Sequence, residues 1–334
     1  MEIRKLNSLR GLAALIVAVS HYSNNTQFLS GFFGTGAGQF GVMLFFILSG
    51  FLMSYLYMNQ PFNKAMVYQY GVARIARVIP LFLLVVFLSY SSANLLYNIP
   101  NIQHLMAHLL FLFGTSVLWT IPVEIHFYLL FILLWWFYQK WEGRLYLLLV
   151  AIVALLIFLG LPRINTEWLG MPIQFRIFEA LPYFLTGLVL GQVYRHWSAP
   201  KQWQSGAYLF SLLFIVLLFP QIFQAITGVK HGLWKDVGVL LVVGSVFFSL
   251  VFLVPDDHSF LTNSIGDFLG KISYSLYLLH EPVLRGVKQL PIENTWLLLV
   301  IFLSLSVLVA ALSYFLFENP ARRMIRHWGV KKNV

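Results

Sequence analysis

Cysteine is absent from the 334 residues of this chain. Its absence excludes a disulfide framework, a thiolate metal site and a cysteine nucleophile. Charge is scarce too. Asp, Glu, Lys and Arg make up 10% of the residues, against about 25% in an average soluble domain. With 59% hydrophobic residues and a mean hydropathy of +0.78, a soluble fold would lack the polar surface to cover itself. Acids are the rarer sign, 12 Asp and Glu against 22 Lys and Arg, for a net charge of +10. A basic excess can mark a nucleic-acid binder. Here the placement of the cations along the chain explains it, and no nucleic-acid partner is expected.

Long apolar runs are what the chain has in abundance. About ten of them approach the roughly 20 residues of a membrane-spanning helix. They are approximately Leu6–Tyr22, Phe40–Met58, Ile79–Tyr97, Leu118–Tyr138, Leu145–Leu161, Phe178–Tyr194, Ala207–Ile226, Val237–Val254, Ile272–Leu290 and Trp296–Phe317. Leu105–Phe113 is apolar but too short to span, as an interfacial or re-entrant piece would be. The expected fold is all-α: a polytopic membrane helix bundle of about ten transmembrane helices, one domain over residues 1–334.

The cations orient the bundle. With the N-terminus in the cytoplasm, inside segments hold Arg4, Lys5, Arg10, Lys64, Arg74, Arg77, Lys140, Arg144, Arg195, Lys201 and Lys271, and the tail adds Arg322, Arg323, Arg326, Lys331 and Lys332. The outer side has Arg163, Arg176, Lys230, Lys235, Arg285 and Lys288. This bias predicts both termini in the cytoplasm. By the same rule Arg322, Arg323 and Arg326 read first as a topology anchor. A basic start, an apolar stretch Gly11–Val19 and the small residues Ala18-Val19-Ser20 also resemble a signal peptide. Because the rest of the chain is itself apolar, an uncleaved first helix is the simpler reading.

Four constellations could carry chemistry. Arg10 and His21 are eleven residues apart, three turns plus about 20°, so they share a helix face and are separated by about 16 Å along it. Ionisable groups at membrane depth mark a functional interior by default. A cytoplasmic arginine flag and an interfacial histidine beside Tyr22 explain the charge placement equally well. Arg74 and Arg77, at i and i+3, form a fork suited to phosphates; taken alone, they read more simply as an anchor. Glu124 follows Pro122 at the start of a span, with Tyr128 one turn on. A carboxylate there should face a polar interior or an ionic partner rather than lipid. Ser273, Tyr277 and His280 share one face. They could line a polar cavity or serve as interhelical hydrogen-bonding glue.

Other motifs are weaker. Gly34-Thr35-Gly36-Ala37-Gly38 lacks the preceding strand of a dinucleotide fingerprint. Ser49-Gly50 lacks the nucleophile-elbow pattern and suits close helix packing. His104 and His108 have metal-ligand spacing without the glutamate of the zinc-protease motif, and no metal is expected.

Together the motifs resemble the acyltransferase 3 family of integral membrane acyltransferases. They run from Leu9-Arg10-Gly11-Leu12-Ala13-Ala14 to His21, then Gly41-Val42 and Phe45-Phe46-Ile47-Leu48-Ser49-Gly50-Phe51. Arg74-x-x-Arg77, Trp119-Thr120-Ile121-Pro122-Val123-Glu124 with Phe127-Tyr128, Ile272–His280 and Phe317-Glu318-Asn319-Pro320 follow in order. The family's fourth-span motif reads more like Trp-Ser-Leu-Ser-Val-Glu-Glu; here Thr120, Pro122 and Ile125 depart from it, and Glu124 alone keeps a carboxylate. The resemblance implies an inner-membrane enzyme that moves an acyl group, usually acetyl from acetyl-CoA, to a hydroxyl of a polysaccharide or lipid-linked sugar. By position, Arg10 and His21 would be the catalytic pair, Glu124 an active-site carboxylate, and Arg74 and Arg77 the holders of coenzyme A phosphates. Some relatives carry a periplasmic hydrolase-like domain; none is expected here. The protein would then act alone, as a homo-oligomer, or with separate polysaccharide-assembly proteins. A secondary transporter or lipid-sugar flippase using His21, Glu124 and Arg10 as a relay is the competing class, for which internal repeats would speak.

Overall fold

A computed structural model describes residues 3–34, 36–92, 95–141, 164–197, 219–228, 232–256, 258–259 and 261–331. The expected span Leu145–Leu161 lies outside the described residues, as does most of Ala207–Ile226. The described chain is mostly helical. Its helices are α1 (Arg4–Thr26), α2 (Ala37–Met53), α3 (Lys64–Ser91), α4 (Ile102–Leu109), α5 (Thr120–Lys140), α6 (Ile177–His196), α7 (Pro220–Thr227), α8 (Val237–Phe248), α9 (Ser264–Val287), α10 (Thr295–Ser313) and α11 (Asn319–Lys331). π-Helical turns continue α2 over Ser54–Met58, α8 over Ser249–Leu253 and α10 over Tyr314–Glu318. Two strands, β1 (Ile164–Trp168) and β2 (Met171–Phe175), pair antiparallel, with Ile164 opposite Phe175.

Among the described residues, five helical segments are long and apolar enough to cross a membrane: Ala37–Met58, Lys64–Ser91, Ser116–Lys140, Ile177–His196 and Thr295–Gly329. The α8 segment, Val237–Leu253, is apolar but shorter. α1 and α9 have 23 and 24 residues and fall outside the apolar set. Each carries charged groups and a run of buried polar ones, Lys5, Asn7, Ser8, Ser20 and Ser23 on α1 and Ser273, Ser275 and His280 on α9.

Two expectations are corrected. The fold is not purely α: the β1–β2 hairpin precedes α6. Leu169 and Gly170 both take positive φ, 51° and 74°, the backbone of a two-residue turn whose twist matches paired strands. The third expected span begins too late. α3 starts at Lys64, where the Asn63 side chain accepts from Met66 N at 2.9 Å, so Arg74 and Arg77 lie inside the helix rather than before it. Hydropathy saw only the apolar half of α3; the asparagine cap sets the true start.

The chain divides into two compact units, Met1–Tyr55 with Pro182–Val307, and Leu56–Leu181 with Leu308–Val334. In the first, α1 lies against α2 and α9. Glycines permit the approach. A Cβ on Gly11 would lie 2.5 Å from Leu269 Cβ, and one on Gly41 would strike the Ala13 carbonyl. Gly50 on α2 meets the Phe184 carbonyl of α6, while Gly187 meets that of Ile47. Without a hydrophobic drive between helices in lipid, such small-residue contacts bring backbones together. At its start, α1 is tied by Arg4 to Asp267 and by Lys5 to Asp256. Lys5, which reads in sequence as a topology flag, is buried; its Nζ donates to the Val251 and Val254 carbonyls, each at 2.7 Å. That end of a helical segment presents orphan carbonyls, and a cation satisfies them. Near its other end, Tyr22 stacks on Phe302 at 5.5 Å and donates to the Thr295 carbonyl at 2.5 Å.

In the second unit, α3 packs against α5, α4 and α11. Trp135 fills the space beside Phe62, Tyr57, Tyr70 and Phe131. Arg176 lies over the Trp119 ring at 3.7 Å and pairs with buried Glu179 at 3.4 Å.

Candidate active site

His21 and His280 meet across α1 and α9. His21 Nδ1 is 3.1 Å from His280 Nε2, and the ring centroids are 5.0 Å apart. His280 is fully buried, and its Nδ1 lies 2.8 Å from the Tyr277 carbonyl oxygen and 3.2 Å from that of Leu276. Carbonyls only accept, so Nδ1 of His280 carries the hydrogen. The neutral ring then has its lone pair on Nε2. His21 must therefore donate from Nδ1, which leaves the His21 lone pair on Nε2. The Tyr277 and Leu276 carbonyls thus set the tautomer of both rings. Glu281, the next residue on α9, acts on His21 through its charge.

The remaining residues of this unit sit as follows. Arg10 is half-buried on α1 and engaged with neighbouring groups. Because α1 runs unbroken from Arg4 to Thr26, Arg10 and His21 stay about 16 Å apart along the axis. Tyr277 packs between Phe45, at 5.8 Å, and the His280 ring, at 6.2 Å. Ser273 is buried, and its hydroxyl donates to the Gly270 carbonyl of its own helix at 2.9 Å.

The second unit gathers Arg74, Arg77 and Glu124 around Tyr128. Tyr128 Oη donates to Glu124 Oε1 at 2.5 Å, and Tyr70 Oη donates to the Tyr128 carbonyl at 3.1 Å. Glu124, Arg74 and Arg77 all act on Tyr128 through charge. The Arg74 guanidinium sits 5.8 Å from the Tyr57 ring centroid and 6.0 Å from those of Tyr70 and Tyr128. Buried cations are favoured by aromatic faces, yet Arg74 Nε has no hydrogen-bond partner. Sequence reasoning missed Tyr57, Tyr70 and Glu281. Tyr70 had a signal, being one turn before Arg74 on the same face, and Glu281 directly follows His280. Tyr57 had none, since it enters from another segment.

His108 is spoken for. Its Nδ1 faces the His104 carbonyl at 2.7 Å and its Nε2 accepts from Thr115 N at 3.0 Å. Both ring nitrogens are used by backbone, as in a structural histidine. Among the described residues, no group of three His, Cys, Asp or Glu could hold a metal ion.

Residues 3–315 match the model of the acyltransferase 3 family, described as an acyltransferase domain. The chain belongs to that family. O-acetyltransferase OatA of Staphylococcus aureus strain NCTC 8325 / PS 47 is 24% identical over 359 residues, which cover 96% of this chain and 58% of the relative. The protein of the same name from Staphylococcus aureus strain COL is also 24% identical, with the same shares covered, 96% and 58%. The chain thus spans little more than half the length of these curated relatives. No solved structure matches it. With its apolar helices, the family marks an integral membrane protein.

Proposed function

We propose that this protein is a membrane O-acyltransferase that carries an acetyl group from acetyl-CoA to a hydroxyl of a cell-surface polysaccharide or lipid-linked sugar. The observation that carries the reading is the His21–His280 pair, which leaves a basic nitrogen on a half-buried side chain. A hydroxyl is a weak nucleophile until a base takes its proton, and histidine is suited to that near neutral pH. His21 Nε2 accepts the hydroxyl proton as the oxygen bonds to the thioester carbonyl carbon. The carbon–sulfur bond then breaks, and the His21 imidazolium returns the proton to the departing thiolate. Throughout, His21 Nδ1 continues to donate to His280. Tyr277 and Ser273 line and brace the helix that holds His280.

Arg10 acts on the donor rather than on the reacting carbonyl. Its separation of about 16 Å along α1 suits an extended donor arm better than contact with one oxyanion. Arg74 and Arg77 hold the donor's phosphates, for which paired guanidiniums are matched in geometry. Glu124 orients Tyr128 and balances the arginines' charge. The chain acts as one membrane domain of about ten spans in the inner membrane, with both termini cytoplasmic. The relatives' names, O-acetyltransferase, support the acetyl group and an oxygen acceptor. The transporter reading draws no support from them.

The donor assignment is tested by heating the detergent-solubilised protein with and without acetyl-CoA. A ligand of the native state raises the melting temperature; an unchanged melting temperature at millimolar acetyl-CoA contradicts the assignment. Mass spectrometry of surface glycans from cells with and without the protein tests the acceptor, through the loss of an acetyl mass.

A further inference from the structure

We propose that α11 supplies a second half of the donor-phosphate site: Arg322 and Arg326 join Arg74 and Arg77 in one cationic cluster that binds the phosphates of coenzyme A. This rests on the coenzyme A donor proposed above. It gives a binding role to two residues that the charge pattern alone assigns to topology.

The placement comes from one helix face. Arg322 and Arg326 are one turn apart, and Gly329 follows at i+3. Gly329 is buried, and a Cβ there would lie 2.7 Å from Val72 Cγ1. The same face of α11 therefore lies along α3, the helix of Arg74 and Arg77. Arg322 is held in place, with Nη2 donating to Asn319 Oδ1 at 3.0 Å and to Tyr314 Oη at 3.3 Å. Arg326 is close enough to Arg322, Arg74 and Arg77 for all three like charges to act on it. Arg323 points about 100° away from this face; it is exposed, as is Arg326, while Arg322 is half-buried.

The charge balance calls for an anion. α3, α5 and the arm from Tyr314 to Lys331 carry two carboxylates, Glu124 and Glu318, against the four guanidiniums of the cluster. Glu124 already accepts from Tyr128. Arg74 is more than nine-tenths buried, and its Nε has no partner. A buried donor without an acceptor is costly, and the like charges around Arg74 repel one another. A ligand with several phosphate charges answers both. An anionic lipid headgroup offers the same chemistry. The enclosure of Arg74 by three tyrosine rings favours a ligand end that enters the protein over a headgroup at its surface.

The test is coenzyme A binding by calorimetry to the full-length protein in phosphatidylcholine nanodiscs. R322Q/R326Q should bind coenzyme A about 10-fold or more weakly, because charge-assisted contacts with phosphate are the strong class of hydrogen bond. R322K/R326K should recover part of that loss, and R323Q should bind as the wild type does. Similar ligand-free melting temperatures show that the variants fold. Wild-type affinity in R322Q/R326Q, or an equal loss in R323Q, overturns the proposal while leaving the donor assignment standing. Failure of the wild type to bind coenzyme A overturns both. In a second arm, nanodiscs containing phosphatidylglycerol replace the neutral ones. If R322Q/R326Q loses only the stabilisation given by that lipid and keeps its coenzyme A affinity, the cluster is a lipid site and the proposal fails.

Discussion

His21 Nδ1 donates to His280 Nε2 across 3.1 Å, and the direction of that bond is set by the Tyr277 carbonyl on the far side of the His280 ring. A main-chain oxygen on α9 therefore decides which nitrogen of a histidine on α1 is basic.

His280 is accordingly a positioning residue whose loss should slow turnover without weakening donor binding. Replacing it with Phe removes the acceptor and frees the His21 tautomer. General base catalysis is worth roughly 10²–10⁴-fold, so H280F should lose a large part of that in kcat. H280Q, whose amide oxygen can accept from His21 Nδ1, should recover part of the rate. Steady-state kinetics checks the split: a fall in kcat at constant KM supports the role, while equal rates in H280F and H280Q contradict it.

Gly50 should tolerate no side chain. Its position against the Phe184 carbonyl leaves no room for a Cβ, whereas Gly71 has no heavy atom within 4 Å of one. G50A should destabilise by about 1–3 kcal/mol through overpacking. G71A, in the interior of α3, should be neutral or stabilising by up to about 1 kcal/mol from helix propensity. Thermal unfolding in detergent separates the two; equal melting temperatures would show that α2 and α6 do not pack through glycine.

The Arg4–Asp267 pair should give the protein an acid-sensitive component. Hydrogen bonding from Arg4, helped by Asn7 and by the charges of Arg4 and Lys271, holds the Asp267 carboxyl below its ordinary value of 3.8. A depressed carboxylate contributes stability above its unfolded pKa and loses it as pH falls through the folded one. D267N should therefore lower the melting temperature at pH 7, and the gap from wild type should narrow below about pH 4. A gap that stays constant down to pH 3 rules out this linkage.

Tyr128 bridges Glu124 and the arginine pair. Y128F removes the hydrogen bond to Glu124 and should cost about 1 kcal/mol of stability, with weaker coenzyme A binding. Melting temperature and calorimetry check the two effects. Unchanged donor affinity would remove Tyr128 and Glu124 from the donor site.

Much of this was legible in residue type and spacing. Arg10, His21, Arg74, Arg77, Glu124 and His280 stand out because ionisable groups are scarce in so apolar a chain. Glycine at 50 pointed to close helix packing, which the structure shows. What was not legible is contact between distant segments. Nothing in the pattern brings His280 onto His21, 259 residues away, or aligns α11 with α3. The polar first half of α3 hid from hydropathy, since only Asn63 marks its start. The β1–β2 hairpin escaped because its strands are five residues each and its turn is signalled by a single Leu-Gly step.

The most direct test of the account is acetyl transfer from acetyl-CoA to a glycan acceptor by purified wild type and H21A. The account predicts that H21A keeps its fold and its affinity for acetyl-CoA while turnover falls by roughly 10²-fold or more. Wild-type turnover in H21A would contradict it, because the variant lacks the His21 Nε2 to which the account assigns the base's role.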